Sequence, residues 1–152
     1  MNKTGSFSFD PHGWVFLNCD PASPGVGFAI RASDAVHTVN CGGESCYFSV
    51  FIESVPGDQT KAAAASVGCM QYVSGRATTR VTVGGVIGAR ITDTFTGGAN
   101  QTGGFGPDPG TQQVLYAVYN GSRTYLALYQ RLPKQPDDTA AFDKLMTTFA
   151  FK

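Results

Sequence analysis

Four cysteines are the residues of this sequence whose type and spacing best fit a defined chemistry. Cys41 and Cys46 are separated by a short stretch with two glycines, CGGESC, which favours a local disulfide. Cys19 is then left to pair with Cys69. An even number of cysteines in a small chain is typical of an oxidising compartment, so we predict two disulfides and an extracytoplasmic location.

Two other interpretations of these thiols compete with the disulfides. His37 precedes CGGESC closely enough to suggest zinc, but structural zinc sites usually combine two close pairs of ligands, and Cys19 and Cys69 each stand alone. A nucleophilic Cys69 would need a base, and the only histidines, His12 and His37, lie in turn-like stretches with no Asp or Asn aligned to orient them. We therefore predict neither a metal site nor a catalytic cysteine.

The remaining chemical motifs are weak. The stretch GGVIGA, residues 84–89, lacks the full spacing of a dinucleotide-binding loop and is followed by strand-forming residues rather than by a helix. Glu44, Glu53 and most aspartates occupy loops, strand ends or cap positions, where their oxygens commonly bind backbone N–H groups. The sequence thus predicts no cofactor and no enzymatic activity.

Composition excludes several classes of partner. The 152 residues fit one domain, 1–152, and the 11 Lys and Arg balance the 11 Asp and Glu, so no net field attracts nucleic acid. No run approaches the ~20 apolar residues of a membrane span. The start, MNKTGSFSF, has no apolar signal segment, which indicates either a cytoplasmic chain or a mature secreted, periplasmic or lipid-anchored form with an added Met1. The cysteines favour the second alternative.

Strands are indicated along most of the chain, by alternating or β-branched residues in FSF, WVF, VGFAIRA, CYFSVFIESV and TTRVTVGGVIGARITDTF. Gly84-Gly85 is predicted to turn one hairpin, and Asn120-Gly121 a second, VLYAVYNGSRTYLALY. A two-residue turn at Asn120-Gly121 places Tyr119 opposite Ser122 and Tyr116 opposite Tyr125. One face then carries Val114, Tyr116, Val118, Tyr125, Ala127 and Tyr129, and the other carries Leu115, Ala117, Thr124, Leu126 and Leu128. Both faces need a cover.

Two helices are predicted to supply those covers. PGDQTKAAAASVGCM combines Asp58 as a cap, four alanines and Gly68 as a terminator, so it predicts a short helix. PDDTAAFDKLMTTFAF predicts a longer helix that starts at Asp137 or Asp138. Its apolar stripe consists of Phe142, Leu145, Met146 and Phe149. The expected fold is α+β, an α/β/α sandwich around a mainly antiparallel sheet of about six strands.

A glycine- and proline-rich segment, residues 96–112, is predicted to be a surface loop between strands. Phe95 and Phe105 are its aromatic residues. They are candidate contacts for a protein or a ligand if they are exposed, and ordinary packing residues if they fold back over the sheet.

The C-terminal half resembles a known family. VTVGGVIGARI, QQVLYAVYNGSRTYLALYQRL and the closing FDKLMTTFAF are similar to the bacterial and plastid PsbP-like family, and so is the opening FSFDPHGW. That family shares its α/β/α sandwich with the Mog-type Ran-binding import factors. It includes an extrinsic subunit of a photosynthetic complex and many secreted or lipid-anchored bacterial domains. The resemblance implies the fold, and none of the matching residues is catalytic in the family.

Two functions are therefore carried forward. The first is a noncatalytic, extracytoplasmic domain that binds a protein or cell-envelope partner, with a homodimer as one form of it. The second is a small-ligand carrier or enzyme with a pocket between the sheet and the C-terminal helix, lined by Trp14, Tyr116, Tyr125 and Tyr129.

Overall fold

The computed structural model describes residues 7–10, 14–17, 26–32, 50–65, 72–97, 109–134 and 136–152. Its strands and helices follow one another as β1 Phe7–Ser8, β2 Trp14–Leu17, β3 Val26–Ala32, β4 Val50–Pro56, α1 Thr60–Ala65, β5 Val73–Val83, β6 Val86–Phe95, β7 Gln112–Tyr119, β8 Arg123–Arg131, α2 Thr139–Thr147 and β9 Ala150–Phe151.

The main sheet has seven strands in the order β2-β3-β4-β8-β7-β6-β5, and each neighbouring pair is antiparallel. The predicted antiparallel α+β sandwich is confirmed, with one strand more than the six expected. A second sheet pairs β1 with β9, so that Phe7 lies opposite Phe151. The aromatic start of the chain is consequently divided between two sheets, because β2 pairs with β3 and not with β1.

The β5–β6 hairpin turns at Gly84 and Gly85, as predicted. Val83 lies opposite Val86, which leaves two residues in the turn. Both glycines have positive φ, +55° and +79°, the conformation that a tight hairpin turn of this kind requires and that glycine adopts at low cost.

The β7–β8 hairpin has the predicted faces but a different register. Tyr116 lies opposite Ala127 and not opposite Tyr125, a shift of two residues. The Asn120 side chain causes this, since its Oδ1 accepts hydrogen bonds from the backbone N–H of Ser122 (3.1 Å) and of Arg123 (3.0 Å). Gly121 and Ser122 therefore form the tip. Because the shift is an even number of residues, every side chain keeps its predicted face.

Helix α2 covers one side of the sheet, here called the α2 face. Phe142, Leu145 and Met146 of the helix and Phe149 after it are all buried, which confirms the predicted stripe. They pack in one cluster with side chains from four strands of the main sheet and from β1, namely Val50, Ile52, Val83, Val114, Tyr116, Val118, Tyr125, Ala127, Tyr129 and Phe7.

Helix α1 lies on the opposite side, the α1 face. It begins where Asp58 Oδ1 accepts a hydrogen bond from the Thr60 N–H (3.0 Å), as the sequence predicts. Ala63 is buried against Ile91, Leu115 and Ala117. The predicted terminator Gly68 lies outside the described residues.

At its described ends, the β6–β7 connection is shorter than the predicted loop 96–112. Phe95 N–H donates to the Thr111 carbonyl (2.8 Å) and Gly110 N–H donates to the Phe95 carbonyl (2.6 Å), so the chain is still paired beyond the end of β6. Gln112 already belongs to β7. Residues 98–108 are not among those described.

Candidate functional site

The three tyrosines that were expected to line a pocket do share the α2 face. Tyr116, Tyr125 and Tyr129 are each at least 94% buried. Tyr116 and Tyr129 both contact Phe142, with 5.5 Å between ring centroids in each case. Tyr125 lies 6.1 Å from Phe149. These rings fill the space between sheet and helix where the sequence suggested a cavity.

Tyr116 also forms a polar link between sheet and helix. Its hydroxyl donates to Asp143 Oδ1 (2.7 Å), and Arg90 binds both carboxylate oxygens of Asp143, with Nε at 2.9 Å and Nη2 at 3.0 Å. Arg90 and Tyr116 are cross-strand neighbours on β6 and β7, so strand register brings them together under α2. A bidentate pair of this kind fixes orientation as well as distance.

Electrostatics keep the Tyr116 phenol protonated at neutral pH. Burial, followed by the hydrogen bond and charge of Asp143, raises the pKa of Tyr116 to about 12. The hydrogen bond to Asp143 raises the pKa of Arg90 as well. At neutral pH the Tyr116 phenol therefore keeps its proton, and Asp143 is held between the phenol and the Arg90 guanidinium. The group therefore fastens α2 to the sheet.

Tyr129 makes a second link at the start of α2. Its hydroxyl accepts a hydrogen bond from the Asp138 N–H (3.0 Å), one of the donors that the first turn of a helix leaves without a partner. Burial raises the pKa of Tyr129. The sequence predicted that either Asp137 or Asp138 caps the helix. Asp138 occupies the N-cap position but its side chain makes no cap hydrogen bond, whereas Asp137 Oδ1 accepts a hydrogen bond from the Thr139 N–H (3.0 Å).

A row of polar side chains crosses four strands on the α1 face. The Asp93 carboxylate is fully buried, and Arg76 donates to its Oδ2 through Nε (3.1 Å) and Nη2 (3.0 Å). Gln113 Nε2 donates to Asp93 Oδ1 (3.1 Å), and Gln130 Nε2 donates to Gln113 Oε1 (3.1 Å). One carboxylate, one guanidinium and two amides thus form a continuous hydrogen-bonded chain.

A β-bulge directs Arg76 into this row. The pairing of β5 with β6 passes from Ser74 opposite Thr94 to Ala77 opposite Thr92, so Gly75 and Arg76 together oppose Asp93. Gly75 has φ of +65°. Such a bulge, with glycine at its first position, commonly re-aims the next side chain.

The row is a buried network whose members satisfy one another. Among the described residues, no buried side-chain nitrogen or oxygen lacks a hydrogen-bond partner. The sequence patterns did not predict this network. Its signals were Gln113 and Gln130 at inward positions of apolar strands and a glycine inside β5, but only the strand order shows that they meet.

The first and the last of the motifs that resemble PsbP-like proteins meet in space at the ends of the chain. Phe7 stacks on Phe149 with 4.9 Å between ring centroids, and Phe151 contacts Tyr125 at 4.8 Å. The Asp10 N–H donates to Thr148 Oγ1 (2.9 Å). The β1–β9 pair therefore extends the α2-face core beyond the helix.

The other candidate residues have the following positions. Cys19, Cys41, Cys46, Cys69 and Phe105 lie outside the described residues. Trp14 lies in β2 opposite Ala32.

Phe95 is 2% exposed, so it packs inward and the interpretation as an exposed contact is wrong for it. In the described ranges, no group of three His, Cys, Asp or Glu residues could hold a metal ion. No helix in the same ranges has the length and hydropathy needed to cross a membrane.

Comparison with known proteins supports the fold. No protein-family model matches the chain, and no curated protein sequence matches it. Among solved structures, the chain is similar to the solution structure of cyanobacterial PsbP (CyanoP) from Synechocystis sp. PCC 6803, with a TM-score of 0.50 and 12% identity. The match covers 99% of this chain and 89% of that chain. The fold is thus PsbP-like, and the relation to Mog-type import factors stays a prediction.

Proposed function

We propose that this chain is a noncatalytic, extracytoplasmic binding domain, a single unit over residues 1–152, that contacts a protein or cell-envelope partner. The filled interface between the sheet and α2 is the observation that carries the proposal. Tyr116, Tyr125 and Tyr129 contact the chain's own rings there, which leaves their faces unavailable to a ligand.

The polar groups of the interior support the same conclusion. Asp143 is neutralised by Arg90, and Asp93 by Arg76, so both carboxylates serve the fold. An active site usually combines a cleft with groups whose pKa values suit proton transfer near neutral pH. Tyr116, with a pKa of about 12, does not fit that requirement. We therefore assign binding to the outer surface, in preference to the carrier or enzyme alternative.

The extracytoplasmic part of the proposal depends on the cysteines and on the PsbP-like resemblance of the sequence. Free-thiol counting on protein from its natural host, denatured without reductant, tests it. We expect no free thiol, since two disulfides use all four cysteines. Four free thiols would refute the oxidising compartment.

A crosslinking experiment tests location and binding together. Lys61, Lys134, Lys144 and Lys152 are exposed and can react with amine-specific crosslinkers. The tagged chain, expressed at its natural level in its host, is treated in intact cells with a reagent that cannot cross the cytoplasmic membrane. We expect one protein to be joined reproducibly to the same lysines, and Lys→Arg variants at those positions to lose the product.

Two outcomes would contradict the proposal in different ways. Products that form only with a membrane-permeant reagent would place the chain in the cytoplasm. A failure of both reagents to join any protein, combined with a small molecule retained in native mass spectrometry, would establish a ligand carrier.

A further inference from the structure

Strand β5 forms an open edge of the seven-stranded sheet. It is the last strand in the order, and its only neighbour among the described strands is β6. It has 11 residues, and those from Ser74 to Arg80 are all exposed, although the Arg76 side chain lies partly against Asp93. An edge of this length presents a row of backbone donors and acceptors that can pair with another strand.

The register shows which groups point outward. Val83 and Val86 flank a two-residue turn, where antiparallel strands form a mutually hydrogen-bonded pair. Along β5, the N–H and C=O groups of successive residues then point alternately toward β6 and away from it. Thr78, Arg80 and Thr82 are the residues whose N–H and C=O groups are directed away from β6, and no described strand pairs with β5 on that side.

This edge lacks most of the features by which proteins protect exposed strands. Between Ala77 and Val83 the pairing with β6 is regular, and the sequence ATTRVTV contains no proline. Threonine and valine favour extended backbone. The bulge at Gly75 and Arg76 interrupts the edge at its beginning only. The stretch from Ala77 to Val83 therefore offers a regular edge for pairing through its three outward residues.

Charge along the edge indicates the chemistry of the partner. Arg76 is bound to Asp93, but Arg80 is exposed and has no ion-pair partner in the described part of the chain. Strand β5 carries no acidic residue. A second copy in the register that centres Arg80 on the twofold axis would place two guanidinium groups opposite each other, which is unfavourable.

We propose that an extended segment of a partner protein adds to β5 as an antiparallel strand, with an acidic side chain directly opposite Arg80. The antiparallel direction matches every other pair of the sheet and gives the more stable ladder. Main-chain bonds at Thr78, Arg80 and Thr82 supply affinity, and the acidic residue supplies selectivity. On the same face, Ile87, 55% exposed and opposite Thr82, offers an apolar contact to a large side chain two residues further along the partner. This inference rests on the proposed protein-binding function.

A model peptide tests the surface directly. The probe is a short blocked peptide of alternating threonine and valine with one central glutamate, added to the isotope-labelled chain. We expect the backbone amide resonances of Thr78, Arg80 and Thr82 to shift and to gain protection from hydrogen exchange. The same peptide with lysine in place of glutamate should bind about two- to fivefold more weakly, and Arg80→Glu should reverse that preference.

Three results would overturn the inference. They are amide shifts on another part of the surface, equal binding of the two peptides, and self-association of the chain that the neutral variant Arg80→Thr strengthens. The last would identify a second copy as the occupant of the edge.

A second measurement separates this inference from the proposed function. Thr78→Pro removes an outward N–H while leaving the bonds to β6 in place, and proline is tolerated at such edge positions. Thr79→Ala, an exposed position whose backbone faces β6, is the matched control. In the crosslinking experiment we expect Thr78→Pro to reduce the yield about two- to tenfold and Thr79→Ala to leave it unchanged.

The outcomes are distinct because the two hypotheses fail differently. If both variants crosslink the same partner as the parent chain, another surface binds it, and the edge proposal is wrong while the binding function stands. If the parent chain itself joins no partner, the proposed function fails. Amide spectra of each variant establish that it is folded.

Discussion

The α2 face and the α1 face of the sheet arise from the same strands but are closed by different means. On the α2 face, aromatic rings from β7, β8 and α2 interlock, as in the contacts of Phe142 with Tyr116 and Tyr129. On the α1 face, a six-residue helix contributes the small side chain of Ala63, and a row of hydrogen-bonded polar groups lies beside the apolar cluster.

The difference indicates how stability is distributed. A large buried ring removes much apolar surface from water and also holds its neighbours in place, whereas an alanine contributes little area. The α1 face compensates with the ion pair between the partly exposed Arg76 and the buried Asp93, which is sensitive to the loss of either partner. We therefore expect apolar substitutions to be costly on the α2 face and polar substitutions to be costly on the α1 face.

The largest effect is expected from Phe142→Ala. Its side chain is completely buried at the centre of the α2-face core, so its removal should lower the free energy of unfolding by about 3–5 kcal/mol. The equivalent change in α1, Ala63→Gly, should cost about 1 kcal/mol, mostly through helix propensity. Urea unfolding monitored by circular dichroism measures both. Equal losses would show that the two helices contribute alike to stability, and would contradict the proposed difference between the α2 face and the α1 face.

Asp93→Ala should be the most damaging polar substitution. It leaves the Arg76 guanidinium and the Gln113 amide without their shared acceptor, and the carboxylate site has no access to water, so we expect a loss of about 2–4 kcal/mol. Asp143→Ala on the α2 face is the matched control. Because the Asp143 side chain is 37% exposed, we expect a loss of only about 1 kcal/mol. A reversed order would show that the buried row is not what stabilises the α1 face.

Gly84→Ala tests how far the α2-face core extends beyond α2. A Cβ atom at Gly84 would lie 2.9 Å from Phe151 Cδ2 and 3.0 Å from the Phe149 carbonyl oxygen, and the position has positive φ. Gly85 also has positive φ, but nothing lies within 4 Å of its Cβ position. We expect Gly85→Ala to cost about 1–2 kcal/mol from backbone strain alone and Gly84→Ala to cost more. Equal melting temperatures of the two variants would mean that the segment with Phe149 and Phe151 moves aside at no cost.

Local pattern was sufficient to predict the faces and the helix that covers the α2 face. Alternation in β7 and β8 placed Tyr116 and Leu115 on opposite sides, and the spacing of Phe142 and Leu145 gave the buried stripe of α2. The hairpin register was wrong by two residues, because the side chain of Asn120 moves the tip of the turn. Turn composition alone does not reveal that preference.

The polar networks could not be predicted because their members are distant in the sequence. Arg76 and Asp93 meet through the β5–β6 register and a bulge, and Gln130 joins them through a different hairpin. Arg90 and Asp143 are separated by 53 residues and meet only when α2 packs on the sheet. Each contact depends on the strand order, which the periodicity of individual segments does not determine.

The smallest expected effect concerns the polar link on the α2 face, and it appears as a dependence on pH. Tyr116 has a pKa of about 12 in the folded chain, raised from 10.0 by burial and by Asp143. Above pH 10 the unfolded chain loses this proton while the folded chain keeps it, so the contribution of Tyr116 to stability is constant below pH 10 and falls as the pH rises toward 12. Tyr116→Phe should cost about 1 kcal/mol at neutral pH through the lost hydrogen bond. It should also flatten the alkaline decline, with a residual slope from Tyr129, whose pKa is raised in the same direction. Tyr72→Phe, at a ring that is 47% exposed, is the control. The free energy of unfolding, measured as a function of pH across this range, tests the prediction. An identical alkaline slope in Tyr116→Phe and in the parent chain would mean that the phenol of Tyr116 ionises as freely in the folded protein as in the unfolded one.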